Sequence, residues 1–569
     1  NIQHLASHAL SVAANQVPVD WKQLYGYSPV LLETFVDPEY FDGTCYKAAN
    51  WEHVGMSAGT GGRGASTQIK EKSRKLIFVM PLSQSFRTVL RGEKPSNVTK
   101  IKSALDLEFE ATWIDIVDAI AKISGRYDAE WQKRKRRLDS LLLVLLIIRI
   151  VLSKNHQGYV TTINTFWRMC MKSKISLPNP KALSGAAFCK ARRKLDEQIF
   201  KDMNSEIIQI YQSIERDDNW FGHHVFAIDG SKVNLPRELK DQGFKVNSNS
   251  YYPQGLCSAL YHLKSKIPVD FDLAAHKNER QCAEGHLDYL HANDVVVYDR
   301  GYISYRMLYE HTRRGIHAVF RLPSSSFSII DEFMKSSDRD RIVTIIPSDG
   351  LKRDLLAEYP DMEISPIQLR LVRYEYELTT YFVGTTLLLS EYSVEELSNL
   401  YHSRWSVEEL YKVSKLLIGV EEFHSKTVRG VRQEIFAHFF AITLSRLIAN
   451  RGEDNLNANP RKLRKKMRCN ASRTNEQQKN ERSQVNFKNC LLSIEQNLPQ
   501  LLLNIGNSLV ETLSETVTDV QTVSSRTRTG RSFQRRSRRV DPRGRPDEKK
   551  TKAQKACAIP ELSPLAASA

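Results

Sequence analysis

Asp294-Val-Val-Val-Tyr-Asp299 is the stretch from which the middle of this chain can be read. A short apolar run closed by an acid has the form of a buried strand. Val225-Phe-Ala-Ile-Asp229 has the same form, and again its last residue is Asp. Between the two, Ile267 to Leu273 reads as a further strand and Glu279 to Leu290 as a helix. Downstream come a helix from about Ser304 to Arg314 and a strand from His317 to Leu322. Buried strands interleaved with helices predict an α/β core. Strands that end in Asp bring carboxylates to the crevice where α/β sheets place their sites. Taken alone, either Asp is more simply a turn or helix-capping residue.

A third acid changes that balance. Tyr401, Arg404, Glu408 and Lys415 lie at offsets of 0, 3, 7 and 14 on a stretch expected to be helical from Ser393 to about Asn450. At roughly 100° per residue they project within about 60° of one another, whereas Glu409 falls roughly 80° to one side. A carboxylate flanked by a phenol, a guanidinium and an ammonium suits a metal held beside phosphates. Arg offers a planar fork to phosphate oxygens and Lys a point charge. The plainer reading is a charged surface stripe with an Arg404–Glu408 pair. Trp405, about 40° from Tyr401, is expected to be packed. Mg²⁺ takes a few carboxylates together with phosphate oxygens. Two such ions about 3.5–4 Å apart serve an attacking and a leaving oxygen.

Four ordered motifs carry a resemblance. Tyr401-His-Ser-Arg404-Trp-Ser-Val-Glu408, with Lys415 seven residues on, resembles the Tyr-(2)-Arg-(3)-Glu-(6)-Lys signature of the IS4 family of transposases. Asp229-Gly-Ser, Asp299-Arg-Gly-Tyr302 and Ser184-Gly-Ala-Ala-Phe-Cys-Lys-Ala-Arg-Arg-Lys-Leu195 are similar to that family's text, as is the apolar helix from Phe436 to Ile448. The resemblance implies an RNase H-like core with a β-rich insertion ahead of the Glu helix. It implies Asp229, Asp299 and Glu408 as catalytic residues and metal ligands, with two Mg²⁺ ions (Mn²⁺ as the substitute). It implies Tyr401, Arg404 and Lys415 as DNA-binding residues. The partners implied are double-stranded DNA, at inverted-repeat element ends and at the target, and a second copy of the chain in a synaptic complex. The place implied is the bacterial cytoplasm, at the nucleoid. The function expected is cleavage at element ends and strand transfer. The alternatives are a degenerate DNA-binding protein and an anti-phage defence protein.

A separate resemblance lies upstream. Tyr25-Gly-Tyr-Ser-Pro-Val-Leu-Leu-Glu-Thr-Phe-Val-Asp-Pro38 and Phe41-Asp-Gly-Thr-Cys-Tyr-Lys-Ala-Ala-Asn-Trp51 resemble an uncharacterised domain of Druantia-type anti-phage proteins. Glu33, Asp37 and Cys45 stand out in it, with ordinary structural roles the simpler reading. The chain opens at Asn1 in what reads as mid-domain, so an earlier segment is expected.

The expected organisation is α/β. A partial domain spans 1–85, and a helical, DNA-binding region spans 105–215. The RNase H-like core covers 222–450, with its β insertion at about 335–390. A basic linker with a helical part takes 451–520, and a disordered basic tail takes 524–569. The length of 569 residues itself predicts several domains. Lys and Arg outnumber Asp and Glu by 82 to 65, a net charge of +17 that favours polyanionic partners. Between Arg526 and Lys555 alone there are 13 basic residues against three acids. Other basic runs are Lys133–Arg137 and Arg461–Lys466; a polar linker is read at Arg91–Lys102 and a flexible Gly-rich loop at Gly55–Ser66. The eight cysteines form no CxxC, which argues against a zinc module or a disulfide framework. Leu141–Leu152 is too short to span a bilayer and reads as a buried helix, so no membrane partner is expected. His223, His224, His276 and Glu279 lie near the Asp strands. His223 and His224 could be ligands but read more simply as surface or packing residues, and of His276 and Glu279, which precede the second Asp strand, Glu279 is a weak candidate for supporting the site.

Overall fold

The structure is a computed structural model that describes residues 5–25, 29–57, 74–82, 86–90, 104–131, 138–153, 158–212, 219–246, 251–324, 327–376, 378–388, 392–458, 483–526, 536–540 and 546–548. The pentad 133–137, the linker 91–102, most of the Gly-rich loop, the run 461–466 and most of the basic tail lie outside the described residues. Two compact units are present, Asn1–Glu108 and Phe109–Ala569.

In the first unit, β1 (Leu31–Val36), β2 (Glu52–Met56) and β3 (Leu76–Pro81) form an antiparallel sheet with β3 in the centre. Val36, Ala49, Trp51 and Phe78 make its small core. The turn into α2 (Thr44–Ala48) passes through Gly43 at φ 67°, where an added Cβ would stand 2.5 Å from the Phe78 ring. Gly43→Ala is therefore expected to cost the unit about 1–3 kcal/mol by strain and overpacking. Faster hydrogen exchange over 31–56 in the full chain checks this; unchanged protection would contradict it.

The second unit opens within helix α4 (Ala104–Trp131) and continues with α5 (Ser140–Leu152), α6 (Tyr159–Lys172), α7 (Gly185–Arg192) and α8 (Gln198–Gln212). Phe109, Trp113, Ile116, Val117 and Ile120 are all buried, as their three- and four-residue spacing requires. The apolar run forms α5, capped by the Asp139 side chain and buried in the protein core. Among the described residues no helix is long and apolar enough to cross a membrane.

The sheet that follows contains β5 (His223–Asn234), β6 (Gln254–His262), β7 (Ile267–Ala274), β8 (Val295–Tyr298) and β9 (His317–Arg321), in the order β7-β6-β5-β8-β9. The first three run antiparallel, and β8 and β9 run parallel to β5. That order and polarity make the core RNase H-like. Strand residues alternate between two cores: Val225, Ala227, Val295 and Val297 face one, and Phe226, Ile228, Val296 and Tyr298 the other. The long helix α15 (Val428–Asn457) belongs to the first core. α9 (Glu279–His286) and α10 (Tyr305–Arg314) belong to the second.

The strands read within 335–390 continue this same sheet. β10 (Asp340–Ile345), β11 (Ile367–Tyr376) and β12 (Thr379–Thr385) add to it antiparallel, with β12 on β9. The stretch expected to be helical from 393 is helical in several pieces. α13 (Val394–Ser403) and α14 (Trp405–Lys412) meet at Arg404, a wider π-type turn covers Val413–Ile418, and the chain leaves the helix before α15.

The resemblance around Ser184–Leu195 has a packing reason. Arg192 is 95% buried. Its Nε donates to Gln433 Oε1 at 2.8 Å, one terminal nitrogen lies 2.8 Å from Glu434 Oε1, and the other donates to the Tyr159 hydroxyl at 3.2 Å. One buried guanidinium thus ties the helical region to α15.

Candidate active site

Asp229 does not end its strand as the sequence implied. β5 continues through Gly230 and Ser231 to Asn234, paired with β6 throughout. Gly230 permits this because its surroundings are crowded: a Cβ there would meet Leu256 at 3.0 Å and Glu279 at 3.3 Å. Asp299 lies one residue past β8, at the same end of the sheet as Asp229, because β5 and β8 are parallel.

α13 and α14 bring the remaining residues to that end. The Tyr401 hydroxyl lies 3.5 Å from Asp299 Oδ1. Arg404 is 95% buried and donates to Glu408 Oε1 at 3.0 Å. Burial opposes its charge, but Tyr401, Asp299 and Asp229 outweigh that and raise its pKa. Glu408 is about half exposed, whereas Glu409 faces outward and pairs with Lys412. Lys415, beyond the α14 break, donates to the Lys232 carbonyl at 2.7 Å, three residues along β5 from Asp229. Burial pushes the Asp229 carboxyl up to about 6, against the Gly230 amide and Arg404, with Glu279 and Asp299 adding to the rise.

The structure thus gathers Asp229, Asp299, Tyr401 and Arg404. Glu408 joins through Arg404, and Lys415 stands to the side. Among the described residues, no three His, Cys, Asp or Glu side chains approach closely enough to form a metal-binding group. The donors are nevertheless of the type hard divalent cations take. The Gly230 amide and Arg404 offset the burial of the Asp229 carboxylate only in part, and the Tyr302 hydroxyl and Arg404 Nε are buried without a hydrogen-bond partner. An incoming cation and phosphate suit these groups.

Tyr411 was not singled out from the sequence. Its buried hydroxyl lies 2.8 Å from the Asp229 carbonyl oxygen and 3.1 Å from that of Cys257, fixing α14 to the strand that carries the acid. Its only advance signal is its place three residues after Glu408. Glu279 begins α9, and its carboxylate faces the positions of both Gly230 and Gly301. Trp405, expected to pack, is 48% exposed because it opens α14 on the outer side. His223 bonds Asn293 O and the Tyr392 hydroxyl at the far end of β5, as a packing residue would. His276 is exposed.

A buried acid–histidine–serine chain supports the same strands. His286 Nδ1 is 2.6 Å from Asp270 Oδ2, and its Nε2 is 3.0 Å from Ser258 Oγ. Burial would raise the Asp270 pKa, but His286 and Lys201 more than reverse it. Ser258 Oγ faces the Asp229 carbonyl at 3.5 Å and is buried, so the chain braces α9 against β6 and β7 instead of presenting a nucleophile.

In the first unit, Asp37 accepts from the Glu39 amide, a turn-forming role. Glu33 is exposed on β1 and Cys45 is half-buried in α2.

Residues 220–444 match the family described as transposase DDE domain. Residues 1–70 match the family of the Druantia protein DruA. Over 323 residues the chain is 22% identical to transposase InsG for insertion sequence element IS4 of Escherichia coli (strain K12), covering 55% of this chain and 70% of that protein. Among solved structures, a piggyBac transposase synaptic complex with hairpin DNA matches with a TM-score of 0.36 and 9% identity, over 73% of this chain and 85% of that one.

Proposed function

We propose that this chain is a DNA transposase that cuts DNA at the ends of an insertion element and joins them to a target; the match of residues 220–444 to a transposase DDE domain and the similarity to an IS4 transposase support that reading. Asp229, Asp299 and Glu408 are the catalytic carboxylates in this reading. The observation that carries it is that Asp229 and Asp299 lie at one end of the parallel β5–β8 pair, with the Tyr401 hydroxyl 3.5 Å from Asp299 and Arg404 of the same helical segment holding Glu408 at 3.0 Å. Two divalent ions, Mg²⁺ or in its place Mn²⁺, held by these three acids, would supply an activated oxygen nucleophile and charge for the leaving oxygen.

Arg404 offers its fork to a non-bridging phosphate oxygen, and its buried Nε gains the partner it lacks. Tyr401 orients the strand beside Asp299, and Lys415 holds a neighbouring phosphate. Water adds to the scissile phosphorus as the P–O3′ bond breaks, leaving a 3′-hydroxyl and a 5′-phosphate. The 3′-hydroxyl then attacks a target phosphodiester in line, and a target 3′-hydroxyl leaves. Positioning and fixed charge supply the catalysis. Two copies, each holding one element end, complete the reaction in the bacterial cytoplasm. The DruA-like segment favours one other reading, a defence protein in which the core has lost its chemistry.

Mg²⁺-dependent nicking of DNA carrying flanking inverted repeats tests the reading. Glu408→Ala is expected to cut at least about 10²-fold more slowly. If it cuts as well as the wild type, the assignment of Glu408 is wrong. If the wild type cuts no end sequence, the degenerate reading gains.

A further inference from the structure

Beside the carboxylates a cleft of about 570 Å³ opens between β6, β7 and the start of α9. Its lining includes Lys232, Lys245, Lys277 and Arg280, with Glu279 at the end next to Gly301. Four cations against one acid make it a place for anions. Lys415 reaches its Lys232 wall, and Arg280 Nε is fixed to the Gly301 carbonyl at 2.7 Å, so the cleft is continuous with the site at Asp299. Its volume suits one compact ligand and is far too small for a duplex.

A second feature stands beside it. Tyr251 and Tyr252 come just before Gln254, which lines the cleft, and Lys245 O accepts from the Gln254 amide at 3.0 Å. Both tyrosines expose their rings, at 63% and 47%, and Arg237 stacks on Tyr251 at 4.2 Å. Exposed aromatic rings beside a basic groove are the combination that binds unpaired nucleic acid: phosphates go to the cations and bases stack on the rings. Duplex backbone binding needs the cations alone.

We propose that this cleft binds a single unpaired DNA strand running from the phosphate at Asp299. Its phosphates lie on Lys232, Lys245, Lys277 and Arg280, and a base stacks on the Tyr251–Tyr252 pair. The proposal rests on the reading of the adjoining site as one that cuts DNA.

The test uses the full chain in EDTA, with fluorescent oligothymidine and a blunt duplex as probes. Lys245→Ala/Lys277→Ala is expected to weaken oligothymidine binding about tenfold. It should also lower the slope of log affinity against log salt by about 1.4, or about 0.7 for each phosphate that no longer meets a lysine. Tyr251→Ala/Tyr252→Ala is expected to weaken it about tenfold with the slope unchanged, the loss of a stacked base. Duplex binding should change less than about twofold in both. All four side chains are at the surface; if one pair nevertheless lowers the melting temperature, the other carries the test.

Unchanged oligothymidine binding in both variants would overturn the proposal. So would equal losses on both probes, which would mark a general phosphate surface. If the wild type cuts inverted-repeat DNA while the variants bind oligothymidine normally, only the cleft assignment falls. If the wild type binds neither probe and cuts nothing, the DNA-cutting reading falls with it.

Discussion

Asp229→Asn is expected to lose strand cleavage by on the order of 10³-fold while melting higher than the wild type in metal-free buffer near about pH 8. The two effects have one cause. Burial raises the Asp229 carboxyl from 3.8 to about 6, with Glu279 and Asp299 contributing to the rise. The folded chain therefore holds this proton more tightly than the unfolded chain does. Stability linked to the group is fully present below the unfolded value and is lost as pH rises through about 6. An amide keeps the acceptor for the Gly230 amide without the charge, so the variant avoids that loss. The gain above about pH 7 is about 2 kcal/mol, after discounting for partial exposure. It should vanish near about pH 4, where the wild-type carboxyl is protonated in the folded and half-protonated in the unfolded chain. Added Mg²⁺ should raise the melting temperature of the wild type and leave the variant nearly unmoved. A variant that melts lower at every pH would show that the charge of Asp229 is compensated in the fold by more than the Gly230 amide and Arg404.

The second large effect concerns Arg192. Arg192→Leu leaves Glu434, 97% buried, without its arginine, keeping only the His424 amide at 2.9 Å and the His424 ring at 4.0 Å, and removes the bonds to Gln433 and Tyr159. Losing one side of such a pair costs about 3–5 kcal/mol, because a buried charge loses its charged partner. The urea midpoint of the second unit should fall accordingly. Arg192→Leu/Glu434→Leu should recover much of the loss, since two apolar residues replace a desolvated pair. A double variant no more stable than the single one would mean that the Gln433 and Gly430 bonds of Arg192, and not its charge, hold the helices to α15.

The strands at 225–229 and 294–299 were legible because short apolar runs buried on both faces resemble little else. The sheet's antiparallel extension beyond β9 showed as alternation within 340–388, as at Leu369–Val372 and Leu378–Val383, but which edge it joined depends on pairing partners distant in sequence. β5 beyond Asp229 was hidden because Gly230 and Ser231 are turn formers by local preference. What keeps them in a strand is pairing with Ser258 and Cys257, together with the tight approach of Glu279. The helical projection put Glu408 and Glu409 on different faces, and in the structure the first pairs with Arg404 and the second with Lys412. It assumed one straight helix, however, and the joint at Arg404 and the turn at 413–418 displace Lys415 toward Lys232. Tyr411 escaped notice because its partners are backbone oxygens, which leave no trace in side-chain patterns.

The continuous pairing of β5 through Asp229 also divides the site into halves of unequal stiffness. Asp229 is anchored by ladder bonds to β6, and the Tyr411 hydroxyl clamps its carbonyl. Glu408 sits half exposed on a short helix whose ends are a joint and a widened turn, restrained on its acidic side by Arg404. Any adjustment as a strand arrives thus falls to α14, with the sheet as the fixed jaw of a vice. Engineering that stiffens α14 would trade tolerance of differing ends for speed on one, whereas stiffening β5 further would change little.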